Sequence, residues 1–141
     1  VPGAIGIGEE RYRPSSMRRT WLAAAVLSGV PSTVWALASG RSVLESTRAA
    51  GTLLGRPSVV RGVTAHLAIS LGWTWVLVRI GVRSPLTGAA AGGAIAALDL
   101  GFVGRRIPAI AALPVLPQVA DHLAFGAVVG WCNRKGASRL R

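Results

Sequence analysis

An all-α bundle of four transmembrane helices, with one short amphipathic interfacial helix, is the fold class this sequence predicts. Three observations predict it. Of the 141 residues, 51% are hydrophobic and the mean hydropathy is +0.49, which sets the chain apart from ordinary soluble domains. Four apolar runs, separated by links rich in Arg, Gly and Pro, are each long enough to cross a hydrocarbon core of roughly 30 Å as a helix. The pattern Val-x-x-His-Leu-Ala occurs at residues 63–68 and again at 119–124, each time followed by a Gly-Trp pair (Gly72-Trp73, Gly130-Trp131). The spans therefore read as two repeated helical hairpins, related by an axis along the membrane normal.

Charge narrows the function classes. Lys and Arg number 16 against 5 Asp and Glu, a net charge of +11. In a soluble chain that balance would point to nucleic acid, but here the basic residues flank apolar blocks, as membrane topology itself demands. No zinc-finger, basic-zipper or aromatic RNA-binding signature accompanies them, so no nucleic-acid partner is expected. The lone Cys132 supports neither an internal disulfide nor a multi-cysteine metal site.

In chain order, residues 1–18 carry Gly, Pro, Glu9, Glu10 and Arg without periodicity and read as a mobile basic tail. The transmembrane domain follows over 19–132. Its first span, WLAAAVLSGVPSTVWALAS, ends at Ser39 and should kink at Pro31. A competing reading takes Arg18-Arg19, the apolar run and Ala36-Leu37-Ala38 as a cleavable signal peptide; the upstream tail and the repeat favour a retained helix. Ser42-Val43-Leu44-Glu45 spells a capping box opening the amphipathic helix, which Gly55 and Pro57 stop. The second span runs from about Val59 to Val78, and a tight turn between Arg79 and Pro85 leads to the third, Leu86 to Val103. There Ala89, Gly93, Ala97 and Gly101 recur every four residues as a small-residue ridge for a neighbouring helix. After a link punctuated by Pro108 and Pro114, the fourth span covers Val115 to Cys132, with Gly126 and Gly130 forming a GxxxG. Residues 133–141 are a basic tail.

With four spans, both termini share a side with the 79–85 turn. That side holds ten Lys and Arg and the other six, so the positive-inside rule sets both termini in the cytoplasm of a multi-pass protein of the cell membrane. Trp21, Trp73, Trp75 and Trp131 then approach the cytoplasmic interface as an aromatic belt.

The chemistry gathers near the opposite face. His66, Asp99, Asp121 and His122 fall at matching depth, roughly 6–11 Å below the outer surface at 1.5 Å per residue. Gln118, Asp121, His122 and Phe125 occur at i, i+3, i+4 and i+7, one helix face that must point inward. His66, Asp99, Gln118, Asp121 and His122 form the candidate polar layer, and Arg61, Arg105 and Arg106 are its candidate charge partners. At least one Arg–Asp contact is expected, because an unpaired carboxylate at that depth costs several kcal/mol. The layer suits structural pairing or a proton or cation relay, since imidazoles titrate near neutrality. Two histidines on different helices are also compatible with a haem iron, and with an aspartate they match a divalent-metal donor set. The small residues around them do not resemble a porphyrin pocket, and no cofactor or metal is expected. HExxH, GxSxG and glycine-rich phosphate loops are missing, so no catalytic residues are assigned.

The stretches PSTVWAL, AALDLGFVGRR, ALPVLP and ADHLAFG resemble a group of small, uncharacterised four-helix membrane proteins of actinobacteria, over roughly residues 19–131. The resemblance implies an integral membrane protein with four spans and carries no activity, substrate or cofactor. The expected function is a non-enzymatic structural or accessory membrane subunit, or alternatively a small proton- or cation-coupled transporter or channel. Besides the lipid bilayer, its expected partner is a second copy or a larger membrane protein, invited by the small-residue faces.

Overall fold

The computed structural model describes residues 14–138; residues 1–13 of the tail expected over 1–18, and residues 139–141, lie outside them. The described chain is all-helical, with no strand. Helices α1 (Pro14–Leu27) and α2 (Val30–Ala38) lead to α3 (Glu45–Ala50), which continues as a 3-10 turn over Gly51–Leu54. Then come α4 (Val59–Arg79), α5 (Pro85–Leu98), α6 (Pro108–Ala111) and α7 (Val115–Ser138). Three stretches, Ser16–Ala38, Pro85–Arg106 and Val115–Arg134, are long and apolar enough to cross a membrane. The 21-residue α4 has the length but a more polar composition, with Arg61 and His66 in its first half.

Both ends of the domain are more helical than expected. Residues 14–18 already belong to α1 and residues 133–138 to α7. Asn133 is buried and donates its side-chain amide to the carbonyl of Val82 at 2.9 Å, which ties α7 to the α4–α5 turn. That turn closes α4 with a left-handed Gly81 (φ 77°). The N–H of Gly81 reaches Val78 O and that of Val82 reaches Leu77 O, while the buried Val82 and Leu77 side chains pack in one cluster, as a glycine C-cap motif requires.

The first span is broken rather than kinked. Pro31 has no N–H and its ring excludes the carbonyl four residues back, so the helix stops at Leu27 and restarts at Val30. The third span is irregular at its far end, where α5 passes into a π-helical turn over Asp99–Val103 and a 3-10 turn over Gly104–Arg106.

Packing is densest between α5 and α7, where backbones touch. A Cβ at Gly88 would overlap the Gly126 carbonyl, one at Gly92 the His122 carbonyl, and one at Gly130 the Ser84 carbonyl. The buried register is therefore Gly88, Gly92 and Ala96, one position before the expected ridge, whose Ala97 and Gly101 are exposed. Val82, Ile95, Phe125 and Val129 bury their side chains around this seam with Ala24 and Leu77. Helix α7 is the hub, touching α1, α2, α4 and α5, whereas α4 and α5 hardly meet despite the short turn joining them.

The amphipathic segment is shorter than expected and lacks its capping box. Glu45 turns to Arg41, with Nε–Oε2 2.9 Å and a second bond of 2.7 Å, and the Ser42 hydroxyl accepts from Leu44 N–H. Arg41 offers Glu45 a two-pronged, charge-matched partner, which outcompetes a single backbone N–H. Helix α3 seats on α4 at Gly62, where a Cβ would overlap the Thr47 carbonyl. Of the expected aromatic belt, Trp75 and Trp131 are exposed, whereas Trp73 packs on the core and Trp21 donates to Leu67 O at 3.1 Å.

Candidate functional site

A cavity of about 690 Å³ lies between the two interrupted spans, α4 and α7, with α3 and α6 at one end. His66, Asp99, Gln118, Asp121 and His122 all line it, as does Phe125. Its walls are mainly apolar, with Leu67, Trp73, Ile95 and Leu113 among them. Val63, His66 and Ile69 of α4 line it and remain exposed, so the cavity opens outward beside α4.

Each polar residue answers a defect in a helix. At the break in the first span, Asp121 accepts from the N–H of Ser32 through Oδ1 at 2.9 Å. Gly29, the N-cap of α2, has no side chain to do this, so a carboxylate from α7 caps α2 from outside. The other half of the break is the C-terminal end of α1, whose Ala25 carbonyl accepts from His66 Nε2 at 2.8 Å and from the Ser28 hydroxyl. An anion meets the N-terminal half-helix and a donor meets the C-terminal one, the arrangement the helix dipole favours. Gln118 does similar work at the start of α7. Pro117 cannot donate to Leu113 O, and the Gln118 amide reaches that carbonyl at 3.3 Å and Pro114 O at 3.2 Å.

Asp99 opens the π turn, and its Oδ2 lies 3.2 Å from His122 Nε2. The other ring nitrogen, Nδ1, donates to the Gln118 carbonyl at 2.7 Å. Nδ1 therefore holds a proton, and one further proton between Nε2 and Oδ2 satisfies both atoms. The pair is neutral as a unit whichever partner carries that proton. Both side chains are about a quarter exposed, 24% for His122 and 28% for Asp99.

The expected Arg–Asp contact is not made. Among the described residues, the ion pairs are Arg41–Glu45 and His122–Asp99. Arg61 donates to Leu54 O at 2.9 Å, Arg106 lies over the Phe102 ring at 3.7 Å, and Arg105 is exposed. The reason is local: histidine and a bare helix N-terminus already satisfy the aspartates, leaving the Arg side chains to the outer end. Among the described residues, no three His, Cys, Asp or Glu converge as a metal site.

Sequence reasoning missed the main-chain partners, Ser32 N–H and the Ala25 carbonyl, and the wall residue Trp73. Gly29-x-Pro31 was the available signal, since glycine followed closely by proline marks a helix break whose end groups need partners. Compared with known proteins, the chain matches no family model, no curated protein and no solved structure.

Proposed function

We propose that this chain is a four-span integral membrane protein of the cell membrane, with both termini cytoplasmic, and that it works as a small proton- or cation-coupled transporter rather than an enzyme. The four spans are α1 with α2, α4, α5 with its π turn, and α7. Helix α4 joins them because its 21 residues extend about 30 Å, with Arg61 and Arg79 near its two ends and His66 on the cavity.

One observation carries the reading: both aspartates and both histidines of the described chain line a single cavity at the interruptions of two spans. Binding sites of secondary transporters are characteristically built where membrane helices are discontinuous, and π turns recur at functional sites. The two hairpins also use their histidines alike, His66 reaching Ala25 on the first span and His122 reaching Asp99 on the third. This supports the proposed duplication. The ionisable side chains that line the cavity are His66 from α4, Asp99 from the π turn, and Asp121 and His122 from α7; α1, α2, α3, α5 and α6 add none.

The test is reconstitution into liposomes with a pH-sensitive dye inside. Wild-type protein should move protons down an imposed gradient, and Asp121→Asn with His122→Ala should abolish this while circular dichroism stays helical. Wild-type liposomes no leakier than empty ones would sink the transport reading. A structural or accessory subunit is the second reading, favoured because each layer residue is already hydrogen-bonded within the bundle. On that reading the same variants impair folding, or association with a second copy or a larger membrane protein, and no flux exists to lose.

A further inference from the structure

The cavity's charge differs in kind from that of the chain around it. The sequence carries +11 overall, yet no Arg or Lys lines the cavity, and its ionisable lining consists of two carboxylates and two imidazoles. Glu45, by contrast, is taken up by Arg41. With Asp99 balanced by His122, the cavity is the place in the described bundle where a carboxylate, that of Asp121, stands without an Arg or Lys neighbour.

From this we infer that the cavity binds a lipophilic monovalent organic cation, held electrostatically by Asp121 and entering sideways beside α4. The inference rests on the transport reading and names its substrate class. Asp121 caps α2 through Ser32 and meets no Arg or Lys in the cavity, so its charge remains available to a ligand, whereas Asp99 is balanced by His122. A cation in an apolar surrounding needs such a counter-charge, because desolvating it alone is prohibitive. The walls supply the rest. A volume of about 690 Å³ falls within the range of roughly 300–1,000 Å³ typical of small-molecule sites, and Trp73 and Phe125 present rings on which a cation is favoured. A small inorganic ion would leave most of this apolar wall unused, and a divalent metal lacks its donor cluster among the described residues.

The route follows from the exposure of the walls. Val63, His66 and Ile69 of α4 line the cavity and remain exposed, so it opens beside that helix. A lipophilic cation dissolved in the bilayer reaches Asp121 from that side.

The experiment uses the full chain in lipid nanodiscs, with tetraphenylphosphonium as probe and tetraphenylborate, its near-isosteric anion, as control. Saturable binding of the cation and none of the anion is expected. Asp121→Asn should weaken cation binding at least tenfold; because an amide oxygen still accepts from Ser32, the cap and the fold survive. Asp99→Asn, which leaves the net charge of its pair with His122 unchanged, should alter affinity far less. Equal binding of the two probes, no saturable cation binding, or unchanged affinity in Asp121→Asn would overturn the inference. Saturable binding without proton flux in liposomes would keep the cation site and remove the transport reading, whereas proton flux without cation binding would do the reverse.

Discussion

Ser32 and Asp121 lie 89 positions apart in the chain, and the main-chain N–H of the first donates to Oδ1 of the second at 2.9 Å. This bond lets a broken helix exist inside an apolar bundle, since an exposed helix N-terminus without water would otherwise keep an unsatisfied donor. Asp121→Ala should therefore destabilise the protein by about 1–2 kcal/mol, the scale of a lost N-cap. Asp121→Asn should cost a fraction of that. Reversible denaturation in mixed micelles, followed by tryptophan fluorescence, separates the two; equal losses would mean that charge rather than capping matters at this position.

The seam between α5 and α7 predicts a register-specific response to methyl groups. Gly92→Ala drives its Cβ into the His122 carbonyl, whereas Gly93→Ala meets only Leu123 Cδ2 at 3.5 Å. The first should cost about 1–3 kcal/mol by overpacking. The second should be neutral or stabilising, because alanine is the better helix former by roughly 1 kcal/mol. Thermal unfolding of the two variants is the check, and similar midpoints would remove the close approach of the two backbones.

Asp99 and His122 form one neutral unit, so removing either should cost more than removing both. A cycle of Asp99→Asn, His122→Gln and the double variant should give a coupling energy of about 0.5–3 kcal/mol, the span for contacting residues. Strict additivity would show that the 3.2 Å contact contributes nothing in solution.

Away from the three helices apolar enough to span a membrane, the Arg41 guanidinium hydrogen-bonds the Glu45 carboxylate and holds its pKa below the usual value. A carboxyl with a lowered folded-state pKa adds stability above its unfolded pKa and loses it as pH falls through the folded one. The contribution of this exposed pair is therefore present at neutral pH and disappears in acid. Arg41→Gln should move the Glu45 carboxyl titration upward, read by carbon NMR of labelled glutamate. An unmoved midpoint would show that the pair does not persist in solution.

Much of the architecture was legible in the sequence, because apolar length and Gly/Pro punctuation act locally. Three of the long apolar helices, the turn between Arg79 and Pro85 and the stripe Gln118, Asp121, His122 and Phe125 along one cavity wall all follow from spacing alone. What escaped were choices between competing partners. Ser42 and Glu45 satisfy the capping-box pattern, yet Arg41, four residues away, wins the glutamate. Asp99 and Asp121 had Arg side chains within plausible reach, but a histidine and a helix terminus sat closer in space, and one sequence does not encode such distances. The small-residue ridge was displaced by one position for a similar reason: Ala and Gly crowd α5, so its pattern admits two registers, and only the glycines on α7 select between them.

The bond from Asn133 to the Val82 carbonyl clamps the end of the bundle where Gly130 lies against the Ser84 carbonyl. Beyond that clamp α4 hardly meets α5 and is carried instead by α1 and α3. A 21-residue helix is a lever of roughly 30 Å, so a tilt of about 5° at the clamp would displace its far tip, and α3 with it, by about 3 Å. The wall that α4 gives the cavity thus hinges on an amide and a carbonyl that lie outside the cavity lining.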